Sequence, residues 1–172
     1  MDHRDYCVQT ARWMLGQSWC DLVCWEMRWG RGRRGGVADV VAITSSWRKP
    51  GARIAVAEVK RTRADLLQDL RAKKMLKYQV GSSHCYLAAT AEALRSSKLT
   101  AKEIIADLTT KGLPKNWGIL ELKPDGQTIR VLRGARSREK PKAQRIAALT
   151  RKIARSFCYR VLAGKFNSSL LG

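Results

Sequence analysis

Residues 37–60, VADVVAITSSWRKPGARIAVAEVK, read as two apolar strands around a Pro-Gly turn, yet Asp39, Glu58 and Lys60 interrupt them. The runs ADVVAI and IAVAEVK are nearly continuous in apolar residues, as in strands covered on both faces. A charge inside such a strand costs several kcal/mol, as an order of magnitude, unless it is paired or holds a metal. With a period of two, Ile54, Val56, Glu58 and Lys60 share one face of the second strand. Asp39 shares a face of the first with Val37, Val41 and Ile43. A hairpin centred between Arg48 and Lys49 sets Asp39 directly opposite Glu58, with Lys60 two residues further along.

Two like charges in direct opposition on a sheet are unfavourable unless a cation sits between them. Carboxylate oxygens are hard ligands that suit Mg²⁺ or Mn²⁺, which bind through one or two carboxylates together with waters and phosphate oxygens. An ion at that point would activate a water and neutralise charge on a phosphate. Lys60 is placed to position or deprotonate that water, burial making its proton easier to lose. The combination describes phosphodiester hydrolysis.

Working outward, residues 3–17 carry Tyr6, Ala11, Trp13 and Met14 at loosely helical spacing, and SWCDLVCWEMRW alternates as a half-buried strand does. After Lys60, TRADLLQDLRAKKMLKYQ reads as one helix, capped by Thr62 with Asp65 closing a capping box and Leu66, Leu67, Leu70 and Tyr78 turned inward. HCYLAAT is a short buried strand. AKEIIADL is a further helix, WGILELKPDGQTIRVLR is two strands across a Pro-Asp-Gly turn, and 142–163 is an amphipathic helix with Ile146, Leu149, Ile153 and Phe157 on one stripe. The order predicts an α/β (α+β) fold with a mixed central sheet flanked by helices. A core of 1–133 is followed by a basic helical extension of 134–172.

The chain has 34 Lys and Arg against 14 Asp and Glu, a net charge of +20 over 172 residues. An excess of this size favours a polyanion as partner, because neutralising phosphates releases condensed counterions. The segment 134–172 has ten basic residues and one acid, Glu139, and is the most basic part for its length. Cys7, Cys20, Cys24, Cys85 and Cys158 form no CxxC pair and read as reduced structural thiols. Cys20 and Cys24 lack a second ligand pair, and His3 and His84 lie far from them in sequence, which argues against a zinc site. Neither a signal peptide nor a membrane-length apolar run is present, so a cytoplasmic protein with no membrane partner is expected.

The Asp, a gap of a strand and a turn, then Glu58-Val59-Lys60 resembles the PD-(D/E)XK nuclease superfamily, with Ala38-Asp39 standing for Pro-Asp. The element order matches that superfamily's restriction-endonuclease-like αβββαβ core. RRGGVADVVAI, AEVKRTRADLLQDL, KYQVGSSHCYLAAT and GLPKNWGILEL together resemble small phage and prophage nuclease-like proteins related to MmcB-like DNA repair proteins, over about residues 25–142. The resemblance implies that Asp39 and Glu58 ligate Mg²⁺ or Mn²⁺ with the Val59 carbonyl, and that Lys60 is the catalytic lysine. Many members offer a glutamate from the first helix, where this chain has only Asp5. Glu26, on a strand face with Leu22 and Cys24, is either the extra carboxylate or an edge ion pair with one of the arginines at 28–34.

Arg28, Arg31, Arg33 and Arg34 precede the Asp39 strand, and Arg61 and Arg63 flank Lys60; phosphate contacts are the natural reading of all six. Lys73 and Lys77, one helical turn apart, are read as flanking the site or as a solvated face. Arg145, Lys152 and Arg155 lie on the C-terminal helix, which is free to grip a second stretch of backbone, pack as an arm, or make a homodimer contact. Trp29 and Trp47 stack on an unpaired base or simply pack. The expected function is a metal-dependent DNA nuclease, most simply an endonuclease directed by backbone and shape, in phage DNA processing, repair or recombination. The alternative is a DNA- or RNA-binding protein on the same fold without catalysis.

Overall fold

The computed structural model describes residues 1–29, 36–44, 52–137 and 140–162, with side chains up to 156 in the last segment. In these stretches α1 (His3–Leu15) is followed by β1 (Leu22–Arg28), β2 (Val37–Ile43), β3 (Ile54–Lys60), α2 (Arg63–Arg71) and a 3-10 turn at Lys74–Gln79. Then come β4 (His84–Thr90), α3 (Ala91–Leu94), α4 (Ala101–Thr110), β5 (Gly118–Leu122), β6 (Ile129–Arg133) and α5 (Ala143–Leu162). The six strands form one open mixed sheet in sequential order. The pairs β3–β4 and β4–β5 are parallel, each joined by a helical crossover, and the other three pairs are antiparallel. The fold is therefore α/β, with a mixed central sheet flanked by helices.

Every residue of β3 and β4 is buried, because both faces of the sheet are covered. On one face, α1 packs Cys7, Ala11 and Met14 against Val40, Ala42, Ala55, Ala57 and Val59. On the other, Leu66 and Leu70 of α2, Ile104 and Leu108 of α4, and Ile146, Leu149 and Ile153 of α5 cover Val41, Ile43, Ile54, Val56 and Leu87. The apolar stripe of α5 is thus spent inside the chain, as in a packed arm; Phe157 lies beyond the described side chains. The α1 N-terminus is a full capping box, in which Asp2 and Asp5 each accept the other's backbone N–H.

The helix after Lys60 is shorter than its pattern suggests. It ends at Arg71, and Lys73 takes a left-handed conformation with φ +53° before the 3-10 turn begins. The reason lies in the phase of the apolar residues. A helix with Leu66 and Leu70 inward would next point Lys73, Lys74 and Lys77 at the core. Breaking it lets Met75 and Tyr78 be buried instead. Lys73 and Lys77 therefore do not share a helix face. Leu67 is only half-buried, and the Asp65 carboxylate lies 3.4 Å from Lys60 Nζ.

Candidate active site

The register of the central hairpin is the one that opposes Asp39 to Glu58: Val40 pairs with Ala57, Val41 with Val56, Ala42 with Ala55 and Ile43 with Ile54. The described ladder stops one step short of the acidic pair. Asp39 Oδ2 instead accepts the backbone N–H of Val59 at 2.7 Å, so the side chain occupies the place of a ladder bond. The N–H and C=O of one strand residue point the same way, so the Val59 carbonyl faces the same gap between β2 and β3.

Alternation fails at this point. Val41 and Ala38 both belong to the α2 and α5 side, although three residues apart, and so do Cys24 and Met27 of β1. Between Cys24 and Met27, Glu26 has φ +53°, a conformation that non-glycine residues rarely adopt. The β1–β2 register is the same on either side of Glu26 and Asp39, so these two stand opposite each other at the irregular step. Asp39 is consequently not on the face of Val41 and Ile43. Its Oδ1 lies 3.4 Å from His3 Nε2 of α1. Glu26 leaves the face of Leu22 and Cys24 and is exposed, and its charge is among those that raise the Cys7 thiol.

Glu58 and Lys60 lie on the α2 side, 8% and 6% exposed. Lys60 Nζ is 3.1 Å from Glu58 Oε1 and 2.6 Å from Asp69 Oδ2. Burial alone would favour the neutral amine, but Glu58 and Asp69 outweigh it and hold the Lys60 pKa above the ordinary lysine value. This reverses the expectation of an easily deprotonated lysine: Lys60 is a fixed ammonium ion. The Glu58 carboxyl is pushed up, first by burial and then by the charge of Asp39, and Lys60 offsets only part of this. Its Oε2 is buried and has no hydrogen-bond partner. Glu58 Oε2, buried and without a partner, is a hard donor that fits a divalent ion, while Asp39 turns to the α1 side, so the two carboxylates approach the gap between β2 and β3 from opposite faces and only the charge of Asp39 reaches Glu58. The Tyr78 hydroxyl, close to Glu58, donates to the Val37 carbonyl at 2.7 Å and ties the start of β2 to the turn after α2.

Asp69 escapes the motif reading altogether. It is 3% exposed and joins Lys60 to Lys74, whose Nζ is 2.9 Å from Asp69 Oδ1. The available signal was an acid four residues beyond Asp65 on the helix that follows Lys60. His3 and Cys7 also escaped it, although a His and a Cys four apart on a predicted helix share a face.

The basic candidates separate into two groups. Arg63 is committed internally, donating to the Ala93 carbonyl at 3.1 Å and to the Asp107 carboxylate. Lys152 donates to the Arg28 carbonyl, and its pKa is lowered by burial and then by the charges of Arg145 and Arg28. Arg28, Arg145 and Lys152 are thus one crowded cationic cluster between β1 and α5. The Arg145 guanidinium stacks 4.7 Å from the Trp29 ring centroid and lines a cavity of about 480 Å³ with Gly81, Ser82, Ser83 and Lys142. Trp29 is buried beneath it and packs, so it presents no face to a base. Arg61, Lys73 and Arg155 are exposed, and Lys77 Nζ lies 4.7 Å from the Tyr78 ring centroid. Arg31, Arg33, Arg34 and Trp47 lie outside the described residues. Among the described residues, no helix is long and apolar enough to cross a membrane.

No protein-family model matches the sequence, and no curated protein matches it. Among solved structures, the chain is similar to the SPO1766 protein of unknown function from Silicibacter pomeroyi, with a TM-score of 0.65 and 20% identity over 96% of this chain and 92% of that one. At that identity the likeness is one of fold, and it extends over nearly the whole of both chains.

Proposed function

We propose that the protein is a metal-dependent nuclease that hydrolyses phosphodiester bonds in DNA, with its centre at Asp39, Glu58 and Lys60. The observation that carries this reading is Glu58: buried, with Oε2 unpartnered and its carboxyl raised by burial and by the neighbouring Asp39 charge. Asp39, Glu58 and the Val59 carbonyl would hold Mg²⁺ or Mn²⁺, which supplies Lewis acidity and an activated water. Lys60, held charged by Glu58 and Asp69, orients the Glu58 carboxylate and presents a fixed positive charge toward a phosphate. It is not the base. Arg28, Arg145 and Lys152 offer sequence-independent phosphate contacts, and the net charge of +20 supports binding by backbone and shape. Processing of phage DNA, repair or recombination, in a cytoplasmic setting, is the role this activity would serve.

Incubation of supercoiled plasmid, single strands and a four-way junction with Mg²⁺ or Mn²⁺ tests the reading. Cutting by the wild type that is lost in Asp39→Ala and Glu58→Gln is expected; cutting that survives both substitutions would overturn the assigned centre. One observation favours a second reading, a DNA- or RNA-binding protein without catalysis: Lys60 is engaged by Glu58 and Asp69 and lies 3.4 Å from Asp65. Binding without cutting under either metal would select that reading.

A further inference from the structure

On the α1 side of Asp39 a second set of donors converges. His3 and Cys7 are one helical turn apart and share a face of α1. Cys7 Sγ lies 3.5 Å from His3 Nε2, which lies 3.4 Å from Asp39 Oδ1. The three donor atoms are all within 4.8 Å of one another, the one such His, Cys and acid group among the described residues. In a tetrahedral site with metal–nitrogen, metal–oxygen and metal–sulfur bonds of about 2.0 to 2.3 Å, neighbouring ligand atoms are separated by about 3.3 to 3.8 Å. The His3–Cys7 and His3–Asp39 separations already fall in that range.

The surroundings favour a cation. Cys7 is fully buried, and burial first, then the charges of Asp39, Glu26, Glu58 and Asp2, keep its thiol protonated until a cation takes the place of the proton. His3 is half-exposed, which leaves an approach from solvent.

We infer that His3 Nε2, Cys7 Sγ and Asp39 Oδ1 bind a divalent ion of the zinc class, with a fourth coordination position left open. Imidazole and thiolate select a borderline-soft ion over Mg²⁺, so this site differs in chemistry from the carboxylate pair even though it shares Asp39. Binding breaks the Cys7 S–H bond and forms a sulfur–metal bond, and the proton leaves to solvent without any change of oxidation state. The site does not rest on nuclease activity.

Cobalt titration of the reduced, chelator-treated full chain tests the proposal, with Zn²⁺ added afterwards to displace the cobalt. A thiolate-to-cobalt charge-transfer band in the near ultraviolet, saturating at one equivalent and bleached by zinc, is expected. Cys7→Ser should abolish the band. His3→Ala, at a half-exposed position where folding is checked by circular dichroism, should weaken cobalt binding at least about tenfold. Absence of the band, or a band unchanged in His3→Ala, would overturn the site. Because the readout is metal spectroscopy, the band in a protein that cuts no DNA upholds this site while the nuclease reading fails. Cutting without the band does the opposite.

Discussion

Asp39 accepts the Val59 backbone N–H at 2.7 Å, so one carboxylate both closes the frayed end of the β2–β3 ladder and stands beside the buried Glu58. Structure and charge can be separated by substitution. Asp39→Asn keeps an acceptor oxygen for Val59 and removes the charge; Asp39→Ala leaves a buried N–H unpaired, which costs about 1 to 3 kcal/mol. Chemical denaturation should therefore find the asparagine variant near wild-type stability and the alanine variant clearly below it. Isothermal titration with Mn²⁺ should find both deficient in binding.

The Asp69–Lys60 pair should make the protein acid-labile. Burial pushes the Asp69 carboxyl up, but its bonds to Lys60 and Lys74 outweigh burial and hold it below the usual carboxylate value. A folded-state pKa below the unfolded one adds stability that is present above the unfolded value and lost as pH falls through the folded value. Asp69→Asn should cost about 3 kcal/mol at neutral pH, as breaking a buried pair does. Urea melts across the acid range should find the gap to wild type closing as the pH drops. A gap that does not change with pH would mean that the carboxylate charge is not what matters.

DNA affinity should report the two groups of basic residues differently. Arg28→Ala and Arg155→Ala, both at exposed positions, should each flatten the slope of log K against log salt by about 1, since each would remove one phosphate contact. Arg63→Ala should leave the slope unchanged and lower the melting temperature, because Arg63 serves Ala93 and Asp107. Fluorescence anisotropy over a salt series, with a thermal melt of each variant, checks both expectations.

Tyr78→Phe removes only the hydroxyl, which donates to the Val37 carbonyl at 2.7 Å and lies against the Glu58 carboxyl. A loss of about 1 kcal/mol is expected from the missing bond. Amide hydrogen exchange should become faster at the start of β2 and stay unchanged in β4, on the other side of β3. Uniform acceleration would assign Tyr78 to global packing instead.

Much of this fold was legible in the residues themselves. Nearly continuous apolar runs marked β2 and β3 as covered on both faces and β4 as buried, a hairpin centred between Arg48 and Lys49 led to the observed register, and period-two spacing placed Glu58 and Lys60 on one face. These are local properties of the chain, set by strand geometry and by which side chains water excludes. Tertiary structure alone decided which way Asp39 turns, because a left-handed Glu26 on the neighbouring strand shifts the alternation and no pattern in β2 records it. Packing also decided that α2 ends at Arg71, since burying Met75 and Tyr78 outweighs continuing the helix. Asp69 as the partner of Lys60, Arg63 as a buried tie, and His3 with Cys7 beside Asp39 are contacts between separate elements. Sequence spacing carries the face on which a side chain lies; what lies across from it depends on how the helices settle on the sheet.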